Sequence, residues 1–290
     1  MRLPCNFNNI LGLWLVFIVF MFSSTVYAYP KRIASINLCT DQLLLEIAEP
    51  NKIISITYLS LDPEISNHPK RAKKYRVNHG LAEEIVHLNP DLILAGKYSS
   101  LSATKILRTL GFQVAVFEPA VSTDGIYKNI ERLSKLIGRP NIGKKVIQKI
   151  KKKFSPNRLE KQGKKPTAVI FKARGFTLGK NSLANEVVLY SGLINIAEDQ
   201  LRGSFDYMPL EQLIALNPDL IITDAFNENS PSLSQNLLRH PALGKISQIK
   251  SRENYPNVAV IPARYWNCGN SSITHALAQL KNWQIKVNKP

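Results

Sequence analysis

The sequence predicts an α/β fold of two lobes, each built on a parallel sheet and connected through a long helical region. Short apolar runs alternate with helical patterns in the first part of the chain, which is typical of a parallel sheet covered by helices. The pattern is then purely helical from 124 to about 161, and the alternation resumes at Ala168. We expect a signal peptide over 1–28, a first lobe over 29–124, the connecting helical region over 125–165 and a second lobe over 166–290.

The amino-terminal segment has the pattern of a cleavable signal peptide. Arg2 precedes an apolar stretch over 10–22, and small and polar residues then lead to Ala28. A permanent anchor helix is the alternative, but about 20 apolar residues are needed to cross a bilayer and this run is shorter. We therefore expect cleavage after Ala28 and export, and the absence of a cysteine after the run argues against a lipid anchor.

The chain is strongly basic, with a formal net charge of +17 at pH 7. Such a charge can indicate nucleic acid, an anionic membrane surface or an acidic ligand as a partner. Nucleic acid is not expected as a partner of an exported protein. Much of the charge lies in two lysine patches, 149–153 and 161–165, which are expected to form a solvated surface.

Four strands are expected in the first lobe, over 32–36, 53–57, 92–95 and 114–117. Helical patterns lie between them at 81–88 and 102–110, the second closed by Gly111. The helix after the first strand begins near Asn37 or Thr40, either of which is a plausible N-cap. In the connecting region, a break is expected at 138–140 between two helical runs.

An internal repeat supports the division into two lobes. Residues 83–94 are EEIVHLNPDLIL and residues 211–222 are EQLIALNPDLII. Each copy predicts a helix that begins at a glutamate, ends at Asn-Pro-Asp because proline cannot continue the helix, and leads into an apolar strand. The same connection arising twice independently is the alternative, but the matching Glu83 and Glu211 favour two related lobes.

The usual signatures of catalysis are missing from the sequence. We find no Gly-x-Ser-x-Gly elbow, no dinucleotide-binding glycine pattern and no complete phosphate loop. The five histidines are scattered without metal-ligand spacing, so no metal site is expected. His79 is retained as a candidate ligand contact. The sequence therefore predicts a binding protein rather than an enzyme, with no cofactor.

Ligands of open parallel sheets bind at the carboxyl ends of the strands. The segments expected there carry aromatic and arginine side chains, which suit a broad, partly apolar ligand with acidic groups. Ordinary packing is the alternative for about half of the aromatics. The candidates are Tyr58, Tyr98, Arg174, Phe176, Phe226, Arg264, Tyr265 and Trp266.

Several of these segments resemble the periplasmic substrate-binding proteins of importers for cobalamin, haem and ferric siderophores. They are RIASINLCTDQLLLEIA, GLAEEIVHLNPDLIL, FTLGKNSLANEVVLYSG, MPLEQLIALNPDLII and PARYWNCGN. These segments are distributed from 32 to 270, so the resemblance extends over nearly all of the chain after 28. The resemblance implies two α/β lobes with parallel sheets joined by a single long helix, as in class III periplasmic binding proteins, with limited hinge motion.

The resemblance also implies roles for particular residues. One glutamate on each lobe, Glu83 and Glu211 by position, would dock against arginines of the membrane permease. The late tryptophan segment over 264–268 and the segment over 202–207, with Arg202, Phe205 and Tyr207, would line the cleft.

Cys39 and Cys268 depart from the family pattern at cleft-facing positions. A disulfide and a pair of free thiols near a metal centre are both possible for them, and the oxidising compartment favours the disulfide.

We therefore expect a periplasmic, monomeric binding component of an ABC importer that captures a corrinoid or a ferric siderophore and delivers it to the membrane permease. Haem is a third candidate. A bare metal ion is an alternative ligand that the scattered histidines argue against. An exported enzyme is the alternative from another functional class.

Overall fold

The computed structural model describes residues 29–155, 165–201, 203–224 and 258–287. The expected signal peptide and the candidate residues Arg202 and Phe226 lie outside these ranges. Over the ranges described, no helix is both long enough and apolar enough to span a membrane.

The first sheet has five parallel strands in the order β3-β2-β1-β4-β5. They are β1 (Ile33–Ser35), β2 (Ile53–Thr57), β3 (Arg76–Asn78), β4 (Leu92–Gly96) and β5 (Val114–Phe117), and the helices of this part are α1 (Leu38–Ile47), α2 (Pro69–Ala72), α3 (Ala82–Val86) and α4 (Leu101–Thr109). The four predicted strands are present, and Asn37 is the N-cap of α1, accepting from the backbone N–H groups of Cys39 and Thr40. The strand β3 was not predicted from the sequence; it is an edge strand with two exposed residues.

The connecting region consists of two helices, α5 (Thr123–Leu136) and α6 (Pro140–Lys153). The break falls where the sequence predicts it, because Gly138 has a φ of +74° that a helix does not permit. The resemblance implies one long helix here, and the structure has a pair that divides at this glycine. Ile130 of α5 and Ile150 of α6 are fully buried in the largest apolar cluster, which also contains Leu44 and Leu220. The two sheets are therefore packed through the connecting helices.

The second sheet has four parallel strands in the order β11-β10-β6-β8. They are β6 (Thr167–Ile170), β8 (Ile194–Asn195), β10 (Leu220–Thr223) and β11 (Val258–Val260), with an antiparallel pair β7 (Phe176–Leu178) and β9 (Phe205–Tyr207) beside them. The helices of this part are α7 (Leu183–Tyr190), α8 (Leu210–Leu216) and α9 (Ile273–Val287). This is the second predicted α/β unit, and the two sheets confirm the predicted fold class.

Both sheets are built on one plan. The order β2-β1-β4-β5 of the first sheet corresponds to β8-β6-β10-β11 of the second. In each, the opening strand lies beside the strand that follows the repeated Asn-Pro-Asp element. The repeated sequence therefore occupies equivalent places in the two sheets.

The aspartate of each Asn-Pro-Asp element bonds the start of the neighbouring strand in its sheet. Asp91 accepts hydrogen bonds from the backbone N–H groups of Lys31 and Arg32 at 2.8 and 2.9 Å, at the start of β1. Asp219 accepts from the backbone N–H and the hydroxyl of Thr167, both at 2.8 Å, at the start of β6. Each aspartate thus fixes the beginning of the neighbouring strand.

The asparagines that open the two elements share a backbone conformation. Asn89 and Asn217 have φ values of 45° and 44°, the left-handed conformation that asparagine tolerates at helix ends. The helix, its termination and the strand anchor are therefore repeated together.

Candidate functional site

The carboxyl edges of the two sheets meet at a disulfide. Cys39 follows β1 in the first turn of α1, and Cys268 follows β11. The two are bonded with their Cα atoms 4.9 Å apart and 229 residues apart in sequence. Because the loops after all parallel strands leave a sheet at the same edge, the bond brings together the two edges where ligands of such sheets bind. The candidate site lies along these edges.

Glycine allows the Cys268 segment to approach the connecting helices closely. A Cβ placed on Gly269 would lie 2.5 Å from Ala120 Cβ and 2.8 Å from Ile126 Cγ1. Any larger residue would push this segment away from α5. The disulfide is thus supported by close packing against the start of the connecting region.

A second contact joins the second sheet's helices to the start of α5. Glu186 of α7 accepts hydrogen bonds from the backbone N–H of Thr123 at 2.6 Å and from its hydroxyl at 2.8 Å. The positive amino-terminal end of the α5 dipole also stabilises a carboxylate at this position. The two halves are therefore fastened both covalently and through a charged hydrogen-bonded contact.

On the first sheet, aromatic and imidazole rings follow neighbouring strands. Thr57 and Asn78 are partners in the β2–β3 ladder, so Tyr58 and His79 lie side by side at the edge. Their ring centroids are 5.0 Å apart and the rings are stacked. Tyr98, after β4, is 71% exposed. These three candidates present ring faces or edges to solvent along one edge.

A buried carboxyl group supports the Tyr58 segment from below. Asp41 Oδ2 accepts from the backbone N–H of Thr57 at 3.0 Å, from its hydroxyl at 2.5 Å and from the hydroxyl of Ser60 at 2.9 Å. Complete burial raises the pKa of Asp41 from 3.8 to about 7, although hydrogen bonds from neighbouring hydroxyl groups offset part of the effect. The start of α1 and the turn that carries Tyr58 are thereby joined.

The raised pKa of Asp41 predicts a specific pH dependence of stability. Its contribution is fully present below pH 3.8, where the unfolded chain is also protonated, and is lost as the pH rises towards about 7. Asp41→Asn stays neutral, so we expect its free energy of unfolding, relative to wild type, to rise by about 4 kcal/mol between pH 4 and pH 8. Urea denaturation at several pH values measures this difference.

The control for this experiment is Asp124→Asn, the same substitution at an exposed residue of α5. It should leave the pH dependence of wild type unchanged. A difference between Asp41→Asn and wild type that stays constant with pH would contradict the raised pKa.

On the second sheet, three aromatic rings form a group on the β7–β9 pair, two of them exposed and the third, Phe176, half-buried. Phe176 lies opposite Tyr207 in the ladder, and its ring centroid is 5.7 Å from that of Tyr207 and 5.6 Å from that of Phe205. Phe205 and Tyr207 are 61% and 64% exposed. We call Phe176, Phe205 and Tyr207 the aromatic group. Rings that remain this exposed offer a broad apolar surface to a ligand.

Arg174 lies next to the aromatic group in sequence and is exposed. Its φ of 59° places it in the left-handed region, which is uncommon for arginine. A guanidinium beside exposed rings suits a ligand that is flat and apolar and also carries carboxylates.

Lys172 and Asp224 form an ion pair that was not predicted from the sequence. Lys172 Nζ lies 2.6 Å from Asp224 Oδ2, and the two side chains are 12% and 21% exposed. The same ammonium lies 5.5 Å from the ring centroid of Trp266, which is only 3% exposed. Each charged residue comes at the end of an apolar segment. This abrupt change from apolar to charged residues is the sequence signal that could have identified the pair. Trp266 packs beneath the edge and does not present a free face.

Arg264 and Tyr265 lie at the junction of the two halves rather than with the aromatic group. Arg264 Nη1 donates to the Pro63 carbonyl at 3.0 Å, and the Tyr265 ring lies 5.3 Å from that of His275. Asn67 donates to the Arg264 carbonyl at 2.5 Å. These contacts show that the segment after β11 binds the first sheet's loops.

Glu83 and Glu211, the candidate docking residues, lie in the first turns of α3 and α8 and are both exposed. A pocket of about 260 Å³ adjoins Glu83, with Arg76 and Glu84 in its lining. The carboxylates are free to meet a partner's cations, and their position also suits the helix dipole.

The structure thus brings the sequence-predicted residues into three places. Tyr58, His79 and Tyr98 lie along the first sheet's edge, Arg174 and the aromatic group lie beside the second sheet, and Arg264, Tyr265, Trp266 and both cysteines lie at the junction.

Comparison with known proteins gives a family match over most of the described chain. Residues 33–255 match the family model described as periplasmic binding protein. An uncharacterized ABC transporter substrate-binding lipoprotein of Bacillus subtilis is 24% identical over 209 residues, covering 69% of this chain and 65% of that protein. A cobalamin-binding protein of Halobacterium salinarum is 20% identical over 203 residues, covering 69% of this chain and 55% of that protein. The chain therefore spans less than two thirds of the length of either relative.

Among solved structures, the periplasmic haem-binding protein of a Roseiflexus species in its apo form has a TM-score of 0.69 and 18% identity. The match covers 89% of this chain and 99% of that one. At this identity the likeness concerns the fold, which is the same two-sheet arrangement.

Proposed function

The chain belongs to the periplasmic binding protein family, and from that premise we propose that it is the substrate-binding component of an ABC importer for a metal chelate. The family consists of substrate-binding transport proteins rather than enzymes. We further propose that the chain is exported after cleavage at Ala28, acts as a periplasmic monomer and comprises a first lobe over 29–124 and a second over 166–290.

The observation that carries the proposal is the chemistry along the two facing edges. Exposed rings occur on both, Tyr58 and Tyr98 on one side and Phe205 and Tyr207 of the aromatic group on the other. Arg174 adds a fixed positive charge. A corrinoid, a haem or a siderophore complex offers a large apolar surface with polar or acidic groups at its rim, and such a ligand matches both features.

Relatives support this class of ligand without selecting one member. The Halobacterium relative is described as binding cobalamin and the Roseiflexus protein as binding haem. We propose a corrinoid or a ferric siderophore as the ligand, and the net charge of +17 favours an anionic chelate.

Direct titration of the purified protein tests the proposal. Cyanocobalamin, haemin, a ferric hydroxamate and a ferric catecholate are each titrated by calorimetry, and at least one should bind with a dissociation constant of about 1 µM or below. Failure of all four to bind would contradict the proposed ligand class. Steady chemical conversion of any of them would favour an enzyme instead.

A variant pair then tests the aromatic group. Phe176→Ala with Tyr207→Ala removes two of its rings, and we expect affinity for the ligand that binds to fall by about 10- to 100-fold, as for truncation of buried aromatic contacts. The matched control is Ile285→Ala, an exposed apolar residue of α9 outside the group, 55% exposed. Equal affinities of the two variants would exclude the aromatic group from the binding surface.

A further inference from the structure

His79 is held by a single carboxylate at two points. Its Nδ1 lies 2.8 Å from Glu84 Oε1, and its backbone N–H donates to Glu84 Oε2 at 2.6 Å. The ring also stacks on Tyr58, with centroids 5.0 Å apart. These contacts fix both the backbone at the end of β3 and the plane of the imidazole. An ordinary surface ion pair would need only one of them.

The same contacts determine which ring nitrogen is free. Glu84 contacts the ring only at Nδ1, and its carboxylate accepts hydrogen bonds, so in the neutral ring the proton lies on Nδ1 and the lone pair on Nε2. The imidazole side chain is 59% exposed, and Nε2 has no hydrogen-bond partner among the residues that the structure describes.

An oriented imidazole with a carboxylate on Nδ1 and an open Nε2 is the arrangement of metal-binding histidines. In such sites the second ring nitrogen donates to a carboxylate, which fixes the tautomer and makes Nε2 more basic. A neutral Nε2 is also a common ligand of cobalt and iron. Because His79 lies at the carboxyl edge of the sheet beside Tyr58, the lone pair is available to a chelate bound there.

Building on the proposed function, we propose that His79 Nε2 forms a coordination bond to the metal of the captured chelate, with Glu84 as the residue that positions it. One imidazole supplies one bond, so the other donors belong to the chelate. The bond forms when the Nε2 lone pair of the neutral ring displaces a water molecule from the metal, with no change in oxidation state. The inference therefore selects chelates with an exchangeable coordination position.

Absorption spectroscopy with matched corrinoids tests this inference. Aquocobalamin has an exchangeable water on cobalt, whereas cyanocobalamin carries cyanide at that position. We expect the visible bands of aquocobalamin to shift on binding, and its affinity to exceed that of cyanocobalamin by at least about tenfold. Haemin is the iron counterpart, and its Soret band should shift in the same way if haem is the ligand.

The variants separate coordination from a merely structural role. His79→Ala should abolish the band shift. Glu84→Gln should weaken the shift, because the amide no longer holds the ring as the carboxylate does. His87→Ala, which removes an exposed histidine of the same region, is the control and should behave as wild type.

The outcomes distinguish this inference from the proposed function. If chelates bind but the spectrum does not change, or the shift persists in His79→Ala, the coordination bond is excluded and the binding function stands. If none of the chelates binds the wild-type protein, the proposed function itself is contradicted, and the inference about His79 falls with it.

Discussion

Replacing both Cys39 and Cys268 by serine is expected to lower the free energy of unfolding by about 4 kcal/mol. The bond closes a loop over a sequence separation of 229 residues, and the stabilisation by a disulfide increases with the length of the loop it closes. Cys268 is also 4% exposed, so its substitution places a hydroxyl in a packed position. Urea denaturation followed by circular dichroism measures the change.

Reduction provides the control for this prediction. Dithiothreitol should lower the stability of wild type to nearly that of the double variant and leave the double variant unchanged. Equal midpoints for oxidised wild type and the double variant would show that the bond adds nothing to stability.

Reversing the charge of both candidate docking residues is expected to lower transport by at least about 100-fold, with ligand affinity unchanged within about twofold. Glu83 and Glu211 are exposed on helices of different lobes, so they can fix the orientation of the complex as well as attract a cationic permease surface. Lysine at both places sets like charges against that surface, which costs several kcal/mol. Uptake of the radiolabelled chelate by cells that depend on this importer measures the effect.

The matched control is Glu131→Lys, an exposed residue of α5 with the same change in net charge. Uptake by the Glu131→Lys variant is compared with uptake by the Glu83→Lys single variant. A loss of uptake only in Glu83→Lys would indicate a local contact rather than a general effect of net charge. Normal uptake by the Glu83→Lys, Glu211→Lys double variant would remove the docking assignment, and loss of ligand affinity would show that the substitutions act on the fold.

The repeated Asn-Pro-Asp elements explain why so much of the fold could be predicted from the sequence. Proline and a left-handed asparagine are local requirements of a helix end, and local requirements are visible in the order of residues. The aspartates bond to strands that begin 52 to 60 residues earlier, and only the folded chain shows those contacts. The edge strand β3 was missed because Arg76, Val77 and Asn78 have no clear apolar pattern. Pairing with β2 makes this segment a strand, and that pairing is a tertiary contact.

The candidate site was less predictable, for the same reason. Position after a strand correctly indicates which loops share an edge, but it does not indicate which way a side chain turns. Arg264 reaches across to the Pro63 carbonyl, and Trp266 is packed under Lys172. The hydrogen bonds between Glu84 and His79 form across a turn, and the sequence alone does not show that this turn brings the two residues together.

The fastening between the halves has a mechanical consequence. Gly269 and Glu186 both contact the stretch from Ala120 to Ile126, and the Cys268 half-cystine adjoins the first of them. If the two lobes rotate about these contacts, the displacement is smallest near the disulfide and largest at the opposite end of the cleft. Under the proposed function, a ligand would enter and leave through small movements at the end of the cleft far from the disulfide, and the width of the cleft would be largely set before binding.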